Sequence, residues 1–228
     1  MITADANNVY WTSPSNGAVM EVPAGGGSTT SIVSGLGRTP FAITHDATYV
    51  YWSTQWYFQG YFAGDVSKAP VAGGAALGVV DDENYELVGV AVDGTNAYYG
   101  SYGTLGCAGF LKKVPLAGGA ATTLASGCFI AQSIAVDATY VYWANGGVIS
   151  KVPIAGGSVT TAVSEGAANI VLDGTTLYWS GATTIKKAPV GGGSSTTIAS
   201  GLSSPNGIAV DSTNVYWVEA SRIRKAPK

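Results

Sequence analysis

Chemically reactive side chains are few in this sequence, and the single histidine, His45, is the first to weigh. It stands in the stretch Ile43-Thr44-His45-Asp46, in a short apolar segment. A solitary histidine builds neither a multi-histidine metal site nor, without a paired nucleophile, a catalytic triad. Two roles stay open: a structural histidine in or near an inner strand, or a general base. Nucleophile-elbow, Walker and H-E-x-x-H motifs do not occur in the sequence.

Aspartates recur at one position of several similar segments. Six carboxylates around a common axis could hold a calcium ion, which prefers oxygen ligands. Each aspartate, however, begins a stretch such as D-A-T-Y or D-G-T-N, where it can accept hydrogen bonds from the backbone two residues further on. Turn capping is therefore the favoured role, and no metal site is predicted, for Asp5, Asp46, Asp93, Asp137, Asp173 and Asp211.

Lysines also recur, one in nearly every segment, with Glu21 in place of one of them. Charged side chains on exposed strands add solubility and discourage edge pairing. We expect that role for Lys68, Lys113, Lys151, Lys187 and Lys225. A separate acidic cluster could attract a cation, although a solvated loop is the favoured interpretation for Asp81, Asp82, Glu83 and Glu86.

Aromatic side chains are concentrated in the stretch STQWYFQGYFAGD, residues 53–65, which we expect to form an inserted loop between the second and third strands of its unit. Further tyrosines stand in the stretches DDENYEL and SYGTLGCAG. Exposed aromatic rings suit the binding of a sugar or of an extended peptide. Alternatively, the rings pack over the protein itself or form an assembly contact. The predicted ligand-binding residues are Trp56, Tyr57, Phe58, Tyr61, Phe62, Tyr85 and Tyr102.

The elements that position these residues come from a repeat. A V-Y-W-like motif occurs six times at a spacing of roughly 40 residues. Its central tyrosines are Tyr10, Tyr51, Tyr98, Tyr142, Tyr178 and Tyr216. Each unit predicts four strands: a short apolar strand ending in Asp, the V-Y-W strand, a strand ending in Pro, and a Thr-rich strand after a Gly-Gly turn.

Four strands per unit are typical of a propeller blade. Adjacent residues of V-Y-W point to opposite faces of the strand and all are apolar, which indicates a sheet buried on both faces. We therefore predict an all-β, six-bladed β-propeller of four-stranded antiparallel blades, as a single domain over residues 1–228. The last unit ends after its third strand, residues 222–227. We expect a three-stranded last blade or one that a longer chain completes. Self-association through this edge is a further expectation.

The pairing of Ile134-Ala135-Val136-Asp137 with Val141-Tyr142-Trp143 resembles the YWTD and NHL-type repeats of six-bladed propellers. This resemblance covers the whole chain and implies an extracellular or secreted setting. The final Asp of YWTD is absent, for example in Trp143-Ala144-Asn145, so its role in the family is not transferred.

Propellers with such repeats serve as receptors, lectins, lyases and lactonases, so the fold alone does not decide the function. We expect a non-catalytic binding or scaffold propeller, with a carbohydrate or a peptide or protein ligand on its variable loops and no cofactor. The alternative is a lyase or lactonase with an axial metal, but such enzymes gather several His, Glu or Asn side chains, and this chain has one His. A scaffold without a ligand is the third interpretation.

The charge and the cysteines of the chain restrict the kind of partner and the cellular compartment that we expect. The net charge is −3 and no basic block occurs, which argues against nucleic acid as a partner. No apolar run reaches the ~20 residues that cross a bilayer, and no signal peptide is visible after Met1. Cys107 and Cys128 are predicted on one face of one blade, where a disulfide would close a loop of about 20 residues. Such a bond implies a secreted, periplasmic or extracellular protein.

Overall fold

A computed structural model describes residues 1–58, 60–102, 108–219 and 222–228. Within these ranges the chain forms 23 β-strands and one short 3₁₀ helix, Pro14–Asn16. The chain divides into two compact units, Met1–Ala131 and Gln132–Lys228. Each unit contains three antiparallel sheets whose strands follow chain order. The description of residues 1–228 as a single domain stays a prediction.

The first unit contains three four-stranded sheets, formed by β1–β4, β5–β8 and β9–β12. The strands of the first sheet are β1 (Ile2–Ala4), β2 (Asn8–Ser13), β3 (Ala18–Pro23) and β4 (Thr30–Val33). Those of the second are β5 (Thr39–His45), β6 (Tyr49–Phe58), β7 (Tyr61–Pro70) and β8 (Leu77–Glu83). Those of the third are β9 (Leu87–Val92), β10 (Asn96–Ser101), β11 (Gly109–Pro115) and β12 (Thr122–Gly127).

The second unit contains two four-stranded sheets and one three-stranded sheet. The fourth sheet comprises β13 (Ile134–Val136), β14 (Tyr140–Asn145), β15 (Val148–Pro153) and β16 (Thr160–Val163). The fifth comprises β17 (Asn169–Asp173), β18 (Thr176–Ser180), β19 (Ile185–Pro189) and β20 (Thr196–Ala199). The sixth comprises β21 (Asn206–Val210), β22 (Asn214–Glu219) and β23 (Arg222–Pro227). The predicted all-β, six-bladed β-propeller with a three-stranded last blade is confirmed.

The V-Y-W strand lies at the centre of the apolar core, as its pattern predicts. In the second sheet Tyr51 and Trp52 are both fully buried, although adjacent residues of a strand point to opposite faces. Each face packs on a neighbouring sheet: Tyr10 and Val19 of the first sheet, for example, contact a cluster that includes Trp52. A sheet of this kind therefore needs another sheet on either side.

An aspartate accepts the backbone hydrogen bonds of the turn before five of the six V-Y-W strands. The Asp137 Oδ1 atom accepts backbone N–H groups of Thr139 and Tyr140, each at 2.7 Å. Its Oδ2 atom accepts the Tyr142 hydroxyl at 2.8 Å. The predicted turn-capping role is confirmed by the same pattern at Asp5, Asp46, Asp93 and Asp211.

Asp173 departs from this pattern. It lies at the end of β17 and pairs with the Lys228 ammonium group. The hydroxyl of Tyr178, at the position corresponding to Tyr142, donates no hydrogen bond to Asp173, although the rest of its strand is equivalent. The fifth unit of the motif thus provides a natural reference for the tyrosine–aspartate bond.

We predict that Tyr142→Phe lowers the free energy of unfolding by about 1 kcal/mol, because a hydrogen bond to a partly buried carboxylate is lost. In a thermal melt this corresponds to a decrease in Tm of roughly 2–4 °C. Tyr178→Phe removes a hydroxyl at the same position that has no such bond and should leave the Tm nearly unchanged. Equal decreases in the two variants would show that the Asp137 bond contributes nothing.

We also predict a dependence of stability on pH from Asp93. Burial raises the pKa of Asp93, but hydrogen bonds from Tyr98, Asn96 and Thr95 outweigh this effect and bring it to about 2. The folded pKa is then below the unfolded value of about 3.9, so the stabilisation is complete above roughly pH 4 and is lost as the pH falls through about 2. Urea unfolding at pH 2 to 6 should show a flatter profile for Asp93→Asn than for the wild type. An unchanged profile would contradict the prediction.

Candidate functional site

A groove of about 430 Å³ lies in the first unit, where loops between strands meet the end of the second sheet. The turn after β2, the link between β4 and β5, and the β6–β7 hairpin contribute its walls. We call it the hairpin groove. Its principal side chains are Pro14, Asn16, Leu36, Arg38, Trp56 and Tyr57.

The hairpin that borders this groove was expected to be a loop, and that interpretation of residues 53–65 is wrong. The strands β6 and β7 continue through the segment, each ten residues long, and pair up to Phe58 and Tyr61. Aromatic residues favour strands, and cross-strand pairs such as Tyr57 and Phe62 stabilise them. The insertion is therefore an extension of the second sheet.

The base of the hairpin belongs to the core. Ser53, Thr54 and Asp65 are buried, and the Ser53 hydroxyl accepts the backbone N–H of Ala42 at 3.1 Å. The Thr54 hydroxyl accepts the backbone N–H of Asp65 at 3.2 Å. The described residues of the distal part of the hairpin, 56–58 and 60–63, take no part in these hydrogen bonds at its base.

The tip of the hairpin exposes aromatic rings. Tyr57 is 64% exposed and Tyr61 is 75% exposed, while Phe62 is partly covered by the Tyr57 ring at a centroid distance of 4.8 Å. The Phe58 side chain lies outside the described residues. The expectation of exposed aromatic side chains is therefore met at Tyr57, Tyr61 and Phe62, whereas Trp56 is half-buried.

Arg38 is the functional candidate that sequence reasoning missed. Its guanidinium lies 3.7 Å from the centroid of the Trp56 ring and forms a salt bridge with the buried carboxylate of Asp65. A planar guanidinium stacks well on an indole and forms directional bonds to carboxylates. The two contacts fix Arg38 at the edge of the groove.

The other predicted binding residues lie elsewhere in the first unit. Tyr85 is half-buried and packs edge to face on Phe110 at 5.1 Å, within the core between the second and third sheets. Tyr102 is exposed, and its backbone N–H donates to the Glu86 carbonyl. Neither residue lines the hairpin groove. Cys107 lies outside the described residues, so its pairing with Cys128 stays a prediction.

His45 occupies a structural position between the first two sheets. Its Nδ1 atom is 2.9 Å from the Thr3 hydroxyl, and its ring lies 5.7 Å from that of Tyr10. Burial lowers the pKa of His45, against the opposing effects of Asp5 and Asp46. A neutral, hydrogen-bonded histidine in this position supports the structural role.

Two of the repeated lysines connect successive sheets, so the expectation of a purely solubilising role is wrong for them. The Lys68 ammonium donates to the Leu116 carbonyl at 3.3 Å, and Lys151 donates to the Val190 carbonyl at 3.3 Å. Their alkyl chains are half-buried, and each ammonium lies over a tyrosine ring. A lysine can bury its stem while its charged end finds a polar partner.

The expectation that the acidic cluster forms a solvated loop is wrong for Asp81, Asp82 and Glu83, which lie in the strand β8. The Glu83 carboxylate accepts the Lys112 ammonium at 2.8 and 2.9 Å and the Tyr99 hydroxyl at 2.8 Å. The Asp82 side chain lies outside the described residues. Glu83 therefore has partners within the protein and does not require a bound cation.

A larger cavity of about 570 Å³ lies in the second unit but presents little chemistry. It is lined by small residues, among them Gly146, Gly166, Gly181 and Ser204, with Asn206 as its largest polar side chain. In the described parts of the chain, no cluster of three or more His, Cys, Asp or Glu residues is placed to hold a metal ion. Nor does the described structure contain an apolar helix long enough to cross a bilayer.

Comparison with known proteins identifies the fold. Neither protein-family models nor curated proteins give a match. Among solved structures, the chain is similar to nidogen from a nidogen–laminin complex, with a TM-score of 0.78, 12% identity and coverage of 97% of this chain and 89% of that one. It is also similar to TolB from Acinetobacter baumannii, with a TM-score of 0.63, 12% identity and coverage of 100% and 65%.

A third similar structure is the extracellular domain of a putative hybrid two-component system from Bacteroides thetaiotaomicron, with a TM-score of 0.59, 12% identity and coverage of 99% and 37%. At such identities the likeness defines the fold alone. The chain is a six-bladed β-propeller, and its resemblance to YWTD and NHL-type repeats is confirmed at that level.

Proposed function

We propose that this protein is a non-catalytic binding propeller that holds a carbohydrate or a peptide segment of another protein in the hairpin groove. The observation that carries the proposal is the stack of Arg38 on Trp56, beside the exposed ring of Tyr57. An aromatic surface and a fixed cation at one concave place are suited to recognition of an external molecule.

The chemistry of the groove fits both ligand classes. Faces of Trp56 and Tyr57 can cover the C–H face of a sugar ring or an apolar peptide side chain. The Arg38 guanidinium is held by two contacts, so little conformational freedom is lost when a ligand binds. Asn16 adds an amide that both donates and accepts hydrogen bonds. A volume of about 430 Å³ suits a few sugar units or a few residues.

The similar structures give further support. The nidogen chain was solved in a complex with laminin, which is an example of protein binding by a similar fold. One of the bacterial structures is an extracellular domain. These similarities support our proposal that this protein works in an extracellular or periplasmic compartment. The predicted disulfide accords with such a compartment.

The alternative, a lyase or lactonase with an axial metal, has less support. Five aspartates of the inner strands use both carboxylate oxygens in their own turns. The histidine that such an enzyme would employ contacts Thr3 and Tyr10. Stoichiometric metal in the purified protein, measured by mass spectrometry, would favour the enzyme.

The test is a glycan and peptide array, followed by titration of the best hits. We predict that Trp56→Ala weakens binding at least about tenfold, because loss of a central aromatic contact commonly costs more than 1.4 kcal/mol. Tyr102→Ala is the matched control, since Tyr102 is an exposed aromatic residue of the same unit outside the groove. Near-UV circular dichroism should show both variants folded.

Two results would contradict the proposal. The first is binding that Trp56→Ala leaves unchanged, and the second is an equal loss in Tyr102→Ala. Replacement of residues 56–63 by a two-residue Asn-Gly turn gives an independent check. This change keeps Ser53, Thr54 and Asp65, the buried base of the hairpin, so the sheet should remain folded while binding is lost.

We further predict that Cys107 and Cys128 form a disulfide. A loop of about 20 residues closed by this bond contributes roughly 3 kcal/mol in the chain-entropy model. Protein purified without reductant should therefore contain no titratable thiol after denaturation, and reduction should lower the Tm. Two free thiols per chain would refute the pairing and remove one argument for an oxidising compartment.

A further inference from the structure

The distal part of the hairpin has one strand edge without a partner strand. β6 pairs with β7 in a constant register as far as Phe58, opposite Tyr61. Its pairing with β5 ends earlier, at Gln55 opposite Thr39. Among the described residues, 56–58 of β6 therefore pair with a strand on one side only. Alternate residues of a strand direct their N–H and C=O groups to opposite sides, so part of this backbone faces the side that β5 leaves.

The link between β4 and β5 forms the opposite wall of the hairpin groove. Gly35 and Gly37 have φ angles of 68° and 64°, in the left-handed region that favours glycine. These turns precede the start of β5 at Thr39. A Cβ atom at either glycine would meet no atom within 4 Å, so both residues border open space. The groove thus lies where a continuation of β5 would run, between this link and Tyr57.

This open edge of β6 lacks the features that protect the outer edges of the sheets. In each four-stranded sheet, the pairing of the third strand with the fourth contains a shift in register. The pairing of β6 with β7 contains no such shift, and residues 53–64 include neither a charged residue nor a proline. Natural proteins protect edge strands with charges, prolines or bulges. An edge without them is suited to pairing with another strand.

The charge of the groove indicates which segment fits. Among the described residues that line it, the charged side chain is Arg38, which forms a salt bridge with the buried Asp65. This pair has no net charge. A charged group of a ligand would lose water here without gaining a complementary net charge, which is unfavourable. Leu36, Trp56 and Tyr57 offer apolar contacts instead.

We propose that the hairpin groove binds an extended, uncharged peptide segment, which pairs with the open edge of β6 beside Tyr57 as a short added strand. This choice of ligand rests on the proposed function of the groove and narrows it to one class. Main-chain hydrogen bonds provide affinity in strand addition, and pockets for alternate side chains provide selectivity. A sugar can use the aromatic faces of the groove, whereas a peptide uses these faces and the strand edge.

The first test compares binding of the full chain to an array of octapeptides and to an array of glycans. Uncharged peptides should bind, and glycans should not. The affinity for the strongest octapeptide should change less than about twofold between about 0.05 M and about 0.5 M NaCl, because no net charge of the groove is screened. A strong decrease in affinity with salt would contradict the uncharged ligand.

An N-methyl scan of the same octapeptide tests strand pairing directly. Each methyl group removes one backbone donor and blocks close approach of the two strands, while the side chains stay the same. Methylation should weaken binding at least about tenfold at one or two alternate residues, whose N–H groups face β6. The residues next to them should tolerate methylation with a loss of less than about twofold.

A matched pair of variants tests the position of the site. Tyr57→Lys places a charge on the open edge and should weaken peptide binding at least about tenfold. Val159→Lys adds the same charge at an exposed apolar residue between β15 and β16, in the second unit, and should bind like the wild type. Both positions are exposed, so near-UV circular dichroism should show both variants folded.

Different results would contradict the peptide and the binding function itself. Glycan binding that Trp56→Ala abolishes, without peptide binding, would keep the groove as a ligand site and refute the peptide. Tolerance of N-methylation at every residue would refute strand addition, as would equal binding by Tyr57→Lys and the wild type. Absence of both glycan and peptide binding would refute both proposals. A dimer in sedimentation velocity that Tyr57→Lys dissociates, without peptide binding, would assign the edge to a second copy.

Discussion

The V-Y-W strand of the second sheet is apolar on both faces, and water is excluded from such a strand only when its sheet lies between two others. In the second unit, Tyr142 and Ile149 cover one face of the fourth sheet by packing on Ile170 and Trp179 of the fifth. Full burial of large apolar side chains contributes roughly 1.5–3 kcal/mol for each. The V-Y-W residues are thus committed to packing, and only turns and links can provide side chains for other molecules.

The residues at the two ends of the strands have different roles. At one end, aspartates such as Asp137 cap turns and bind tyrosine hydroxyls, while Lys151 bonds to the next sheet. These contacts recur in several blades because the repeated motif places equivalent residues at equivalent strand positions. At the other end the connections vary in length, and there the second sheet extends into the hairpin that holds Trp56 against Arg38. Functional differences can accumulate at that end without disturbing the repeated contacts.

Features that repeat locally could be predicted from the sequence, and features that depend on distant residues could not. The number of strands followed from the repeat spacing of roughly 40 residues. The burial of V-Y-W on both faces followed from its apolar residues at adjacent strand positions. The role of Asp137 followed from turn chemistry, but its bond to Tyr142 required the strand geometry. The sequence predicts a loop for residues 53–65, because a strand extension carries no turn signal until its tip. Arg38 was missed because its partners, Trp56 and Asp65, lie in other strands.

The hairpin groove belongs to one blade, and its preference depends on the geometry of a single stack between Arg38 and Trp56. The Asp65 carboxylate that binds the Arg38 guanidinium is buried at the base of the same hairpin. The repeated sheet therefore positions a side chain that lies outside the repeated motif. An insertion that extends an existing sheet needs no new core, because its buried base provides the rigidity while its exposed tip can vary.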